Sequence, residues 1–208
     1  MTVDPNAVGI DLSAMAAAYM ASDHAPRDGD ADPPGAVSPE ALVAHHQLAG
    51  RRLPGETVVA VRGAGHPAGP ALQAVTDEAT ALLDSVAVLL HRLGIPYAAL
   101  MAPVFGARRG GDGELLEVGG PEGSAESWIH IQVLPNADRR ALAPAEQLLP
   151  MVLADARQVA DDSAALATAL TGLADAMDSD DGSRFPGPDR HGAAELLRWL
   201  ACLPFASA

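Results

Sequence analysis

Residues 71–105 read ALQAVTDEATALLDSVAVLLHRLGIPYAALMAPVF, and this stretch decides the fold. Its opening, Ala71 to Thr76, is a short strand candidate. From Thr80 the period turns helical, with Leu82, Leu83, Val86, Leu89, Leu90 and Leu93 on one face. Gly94 supplies a C-cap and Pro96 blocks continuation. Tyr97 to Phe105 then reads as a strand, so the unit is strand, amphipathic helix, strand.

Working outward, Thr57 to Val61 is a β-branched strand and Gly63 to Pro70 a loop. Arg108 to Gly113 is a turn-forming cluster answered by a strand over Glu114 to Val118, a hairpin signal. Gly119 to Ser124 reads as a loop, and Trp128 to Val133 as a strand ended by Pro135. A long helix is predicted from about Pro144 to Met177, with Pro150 kinking or dividing it. Its residues Val152, Ala156, Val159, Ser163, Leu166, Leu170, Leu173 and Met177 recur at steps of four and three, a seam for a partner helix or a sheet face. Antiparallel hairpins with two helices packed on one face give an α+β sandwich of the ferredoxin-like kind. Residues 10–22 form a flanking helix, and Ser38-Pro39 starts another that runs to about Leu48. The expected organisation is an N-terminal helix and flexible linker over 1–38, an α+β domain over 39–177, and a linker with the start of a further helical segment over 178–208.

Composition excludes several functions. Apolar residues make up 49 % but aromatics only 3 %, so the core is expected to be Leu, Val and Ile. A net charge of −14 opposes both nucleic acid and anionic membrane surfaces. Every basic residue is Arg; without Lys, a Schiff-base, P-loop or proton-abstracting lysine is impossible. The single cysteine, Cys202, excludes an intrachain disulfide and a cysteine-rich zinc site. Met1-Thr2-Val3-Asp4-Pro5 lacks the basic start of a secretory signal, and no run approaches the roughly 18 apolar residues of a membrane span, so a cytoplasmic location is expected.

Candidate chemistry is sparse. Gly63-Ala64-Gly65-His66-Pro67-Ala68-Gly69 resembles a dinucleotide loop, but no helical period follows, and a connecting loop is the better reading. The histidines His24, His45, His46, His66, His91, His130 and His191 show no metal-ligand spacing, and His130 reads as a hydrogen-bonded, half-buried strand residue. Ser163 has no histidine partner in sequence. The doublets Arg51-Arg52, Arg108-Arg109 and Arg139-Arg140 read as solvated turn arginines. One site is better placed: Asp77-Glu78-Ala79-Thr80 joins a strand to a helix. There, free amides and the helix dipole suit a small carboxylate effector, or Asp77 or Thr80 serves only as a cap. No metal or cofactor is expected in this segment.

Several stretches together resemble one family. They are Ala71–Asp77, the helix Asp84-Ser85-Val86 to Gly94, Met101-Ala102-Pro103-Val104-Phe105 with Arg108-Arg109, the strand Glu126-Ser127-Trp128-Ile129-His130-Ile131-Gln132, Leu148-Leu149-Pro150, and Ala194 to Leu200. Over roughly residues 40–200 the chain resembles the N-terminal region of the large bacterial, actinobacterial-type NAD-specific glutamate dehydrogenases. The resemblance implies an ACT-like domain ahead of further regulatory modules and a distant catalytic domain. It also implies a homo-oligomeric parent that oxidises L-glutamate to 2-oxoglutarate and ammonium with NAD bound in that catalytic domain. The family's chemistry uses lysines, so this segment is expected to be inactive alone, with the parent's downstream domains as partners and an amino acid as possible effector. The usual ACT ligand turn carries a glycine near the helix start; residues 77–80 carry none. The family also continues past Ala201, so a truncated or frameshifted reading of a longer protein is the expectation. A stand-alone ACT-type amino-acid sensor is the alternative.

Overall fold

The alternating run around Trp128 builds β6 (Ser124–Val133), the strand on which the sheet is assembled. This is a computed structural model, and it describes residues 11–23, 37–67, 69–120, 122–135, 137, 139–180, 184 and 189–202. The N-terminal linker over 24–36, His24, most of the second linker and the chain end from 203 lie outside the described residues.

β2 (Ala71–Asp77) runs antiparallel along one edge of β6, from Ala71 opposite Gln132 to Asp77 opposite Glu126. Its other edge is shared by β3 (Tyr97–Met101), which pairs with the C-terminal half, and β4 (Val104–Arg109), which pairs with the N-terminal half. β1 (Val58–Arg62) extends the sheet beyond β2, and β5 (Leu115–Val118) beyond β4. The result is a six-stranded antiparallel sheet of order β1-β2-β6-β4-β5, with β3 beside β6. Two strand boundaries differ from the sequence reading. Tyr97 to Phe105 is interrupted at Ala102-Pro103, where proline has no N–H for the ladder, although the Pro103 carbonyl still accepts from the Trp128 N–H at 3.0 Å. β6 begins at Ser124 rather than Trp128, because pairing with both β2 and β4 holds a polar stretch extended without apolar alternation.

The crossover β2–α3–β3, with α3 over Leu82–Leu93, joins the two strands flanking β6, as in a ferredoxin-like unit. Gly94 (φ +64°) ends α3, and the Ile95 N–H closes back on the Leu90 carbonyl at 3.0 Å. In the standard βαββαβ order the second helix returns to a fourth strand beside the first. Here α4 (Arg139–Ser179) does not return, and β1 arrives from the N-terminal side to fill that edge. α4 starts five residues before Pro144 and contains both Pro144 and Pro150 without dividing.

Register assigns the two faces. Leu72, Ala74, Leu100, Ile129 and Ile131 are buried on one face, and α3 (Leu82, Val86, Leu90) and early α4 (Leu142, Leu149, Leu153) carry buried apolar stripes of their own. The opposite face carries Val75, Met101 and Trp128 under α1 (Leu12–Ala21) and α2 (Pro39–Ala49). The antiparallel α+β fold is as the sequence indicated; the flanking helices α1 and α2, rather than trailing from the sheet, pack on the face of Val75, Met101 and Trp128. Both are capped as their residues suggest, by Asp11, whose carboxylate accepts from the Ser13 and Ala14 N–H groups, and by Ser38, whose Oγ accepts from the Ala41 N–H. Ser22 and Asp23, following α1, bond the free edge of β3 through the Ala102 and Leu100 N–H groups.

The chain divides into two units, Met1–Glu78 with Leu82–Ala154, and Ala79–Ala81 with Asp155–Ala208. The first holds the sheet. In the second, α4 from Asp155 onward meets α5 (Arg190–Ala201), with Ala174 and Ala194 fully buried and Arg198 bridging Asp175 and Asp178 at 2.8 Å each. Val159, Leu166 and Leu173 of the predicted seam stay exposed among the described residues.

Tyr19 measures how firmly α1 belongs to the fold. Its ring is fully buried and its hydroxyl lies 2.7 Å from His45 Nδ1. His45 Nε2 faces the Ala74 carbonyl at 3.1 Å; a carbonyl only accepts, so Nε2 carries the proton and the Tyr19 hydroxyl donates to Nδ1. Tyr19→Phe strands a buried acceptor and is expected to lower unfolding stability by about 1–3 kcal/mol in urea titration.

Candidate functional site

In the turn after β2 both carboxylates accept from protein donors. Asp77 ends β2, where its Oδ1 accepts from Arg52 Nη2 at 2.5 Å and its Oδ2 from the Gly55 N–H at 2.7 Å. Glu78 accepts from the Ser127 hydroxyl, and its own N–H bonds the Ala125 carbonyl at 3.0 Å. Ala79 is half-buried and Thr80 exposed. Ala81 then adopts φ +61°, and the helix starts at Leu82 rather than Thr80. The predicted residues are therefore close in the chain but not assembled as one polar cup: the two acids point into bonds with β6 and with the segment after α2.

Asp77 belongs to a larger cluster that the sequence reading missed. Arg52 is 1 % exposed and Glu126 0 %, with Arg52 Nη2 and Glu126 Oε1 2.6 Å apart. Arg109 grips the same carboxylate with two parallel bonds, Nε to Oε1 at 2.6 Å and Nη2 to Oε2 at 2.9 Å. Arg109 Nη1 also donates to the Ala49 and Gly113 carbonyls, both at 2.9 Å, and Arg52 Nη1 to the Glu56 carbonyl at 2.8 Å. The Trp128 indole N–H completes the shell on Glu126 Oε2 at 3.3 Å. Burial alone would raise the Glu126 pKa, but the guanidiniums of Arg109 and Arg52 outweigh it and hold the carboxyl below its usual range. Gly113 sits where a Cβ would fall 2.6 Å from the Arg52 carbonyl, with φ +85°, so only glycine fits that turn.

The expectation that the arginine doublets are solvated is corrected for one member of each of the first two, while Arg140 of the third is exposed. Arg51 and Arg108 are exposed, whereas Arg52 and Arg109 turn inward. Successive side chains of extended backbone point to opposite sides, so a doublet next to a sheet presents one of each. That alternation, with an acid at Asp77 and another at Glu126, was the available signal.

Beside the cluster lies a layer of rings. Trp128 is 5.4 Å from the His45 ring, 6.1 Å from His46 and 5.4 Å from Phe105. Tyr19 stands edge-on to His130 at 6.2 Å. The core of this face thus adds aromatic and imidazole rings to its aliphatic side chains, where composition indicated an aliphatic core alone. His130 is fully buried rather than half-buried: Gln73 Nε2 donates to its Nδ1 at 3.1 Å, which leaves the proton on Nε2, where no acceptor lies within reach among the described residues. Gln73 is held in turn by the Ala41 carbonyl and by Arg62. Burial pushes His45 down to about 3, with the neighbouring His130 adding to it, and His130 down to about 4. The Gly63–Gly69 loop joins β1 directly to β2, so its amides open no helix. Among the described residues, no group of three or more His, Cys, Asp or Glu is placed to hold a metal ion.

A ferredoxin-like sheet whose strand-to-helix turn lies beside a buried ionic cluster defines an ACT-like α+β module. The chain belongs to the family described as "Glutamate dehydrogenase, ACT1 domain", whose model matches residues 37–149. It is 44 % identical to the NAD-specific glutamate dehydrogenase of Mycobacterium tuberculosis (strain ATCC 25618 / H37Rv) in an alignment covering 88 % of this chain, and it spans 12 % of that relative's length. The family match covers the sheet, α2, α3 and the start of α4, and α1 lies outside it. No described helix is long and apolar enough to cross a membrane.

Two outcomes follow for stability. Glu126→Gln leaves two buried guanidiniums short of a counter-charge and is expected to cost about 3–5 kcal/mol, seen as an earlier denaturation midpoint. Acid is expected to destabilise the domain as well. His45 and His130 are neutral in the native state, while the unfolded chain protonates them below about pH 6.5. Stability therefore falls as pH drops from 6.5 towards 4, by on the order of 2 kcal/mol per histidine at about pH 5. Paired denaturation curves at pH 7.5 and 5, for the wild type and His45→Gln, check the sign.

Proposed function

We propose that this chain is a non-catalytic regulatory and assembly module of an NAD-specific glutamate dehydrogenase, acting in the cytoplasm within a homo-oligomer. The parent reaction is the oxidation of L-glutamate to 2-oxoglutarate and ammonium with NAD, carried out by lysine-bearing catalytic machinery in another domain. The observation that carries this reading is the absence of lysine from all 208 residues of a chain akin to a glutamate dehydrogenase. Glutamate oxidation in this family needs an amine to hold the substrate and assist proton removal at the reacting carbon. Arginine stays protonated at every working pH and cannot act as that base.

The local chemistry supports the same division of labour. The strongest charges in the sheet unit neutralise each other in the Arg52–Asp77–Glu126–Arg109 cluster and serve to fix segments. Assembly with the parent's other domains gives such a rigid module its effect, by biasing how the catalytic part is held.

The purified, folded chain is expected to give no glutamate-dependent NADH absorbance above a heat-denatured control. Turnover that survives removal of trace contaminants, checked with an Arg52→Met variant prepared in parallel, overturns the proposal. Calorimetric titration with the common amino acids tests the sensor alternative: tight, saturable binding lost in Asp77→Ala would favour a stand-alone ACT-type sensor, and flat isotherms favour the module.

A further inference from the structure

A cavity of about 360 Å³ opens on the face covered by the flanking helices, between α1, α2 and the β4–β5 hairpin. It lies away from the turn after β2 and shares no residue with it. Its size falls within the range of small-molecule sites. Met15, Phe105, Leu115 and Val118 form apolar walls, and all four also belong to or pack against the core of this face. The walls are therefore anchored by the fold rather than being loose surface side chains.

Two polar groups face this space. His46 is half-buried beside the Trp128 ring, and neither ring nitrogen meets a protein donor or acceptor among the described residues. Burial lowers its pKa below 6.5, so the ring is uncharged at neutral pH and has a lone pair to offer. Asp11 caps α1 with Oδ1 alone, leaving Oδ2 without a donor among the described residues. Glu117, a third lining residue, is engaged by Arg108 and adds no net charge beyond that pair.

We propose that this cavity is a binding site for small hydrophobic amines. An apolar body of roughly six to ten heavy atoms would occupy the walls, with its ammonium donating to the neutral His46 imidazole and to Asp11. A carboxylate of the same shape is excluded, because Asp11 and the chain's net charge of −14 repel it. The free carboxylate oxygen and the unpaired imidazole are what decide for an amine over a neutral hydrocarbon, since a hydrocarbon would desolvate both without a partner. The site stands independently of the proposed role in glutamate dehydrogenase.

Phenethylamine and 3-phenylpropionate, titrated into the full chain at pH 7.5 and followed through the His46 ring resonances, test it. Phenethylamine is expected to saturate with a Kd on the order of 1 mM and to shift His46, while 3-phenylpropionate shifts nothing. Asp11→Asn keeps the helix cap and removes the charge; it should weaken phenethylamine at least fivefold with an unchanged amide spectrum. His46→Gln should weaken it by a similar factor, and lowering the pH below that of the His46 titration should do the same in the wild type. Equal response to the carboxylate, no saturation by about 20 mM phenethylamine, or unaltered affinity in folded Asp11→Asn overturns the proposal.

Discussion

One carboxylate organises this domain. Glu126 lies fully buried in the central strand and accepts from Arg52, Arg109 and the Trp128 indole. Through those arginines it ties down the C-terminal carbonyl of α2 at Ala49, the 53–56 segment, the turn at Gly113 and, by way of Asp77, the end of β2. A buried ion pair adds little net stability against a hydrophobic replacement, because each charge must first be stripped of water. Its value here is selectivity among arrangements. A one-residue slip of β6 would carry Glu126 to the aliphatic face, leaving Arg109 unmatched and Arg52 with Asp77 alone, so that register is penalised.

That constraint propagates to the face above it. Glu126, Trp128 and His130 alternate along β6 and so share one side of the sheet. With Trp128 fixed by its indole N–H, the rings of His45, His46 and Phe105 pack around it, and Tyr19 brings α1 into the same layer. A ferredoxin-like sheet with helices on one side alone would leave this face open. Here α1 and α2 cover it, and β1 supplies the edge strand that α4 does not return to make.

The strand–helix–strand unit over residues 71–105 was legible because its periods are strong and its stops explicit: six leucine-type residues on one helical face, then Gly94 and Pro96. The Ser38-Pro39 start of α2 was legible for the same reason, since a cap residue states a backbone geometry. Residues 124–127 were not, because Ser-Ala-Glu-Ser has no apolar alternation and becomes strand only through its neighbours' hydrogen bonds. The buried cluster was hidden for a related reason. Arg52, Asp77, Arg109 and Glu126 are up to 74 residues apart in the chain, and each alone resembles an ordinary surface charge. The predicted effector turn was read correctly as a strand end followed by a helix. Its side-chain directions depended on Arg52 and Ser127, partners that no local pattern specifies.

The missing glycine of that turn can now be placed in physical terms. Ala81 takes φ +61°, the left-handed conformation in which glycine is the usual residue. For an alanine this costs on the order of 1 kcal/mol, partly offset because alanine loses less backbone entropy than glycine on folding. The chain thus enters α3 through a left-handed residue without glycine. What changes is the space beside the turn, where a methyl group stands in place of a hydrogen. Close approach of a ligand to that backbone is obstructed on the methyl's side, and the two acids nearby are already bound to protein donors. The carboxylates beside the turn hold β2, β6 and the segment after α2 together.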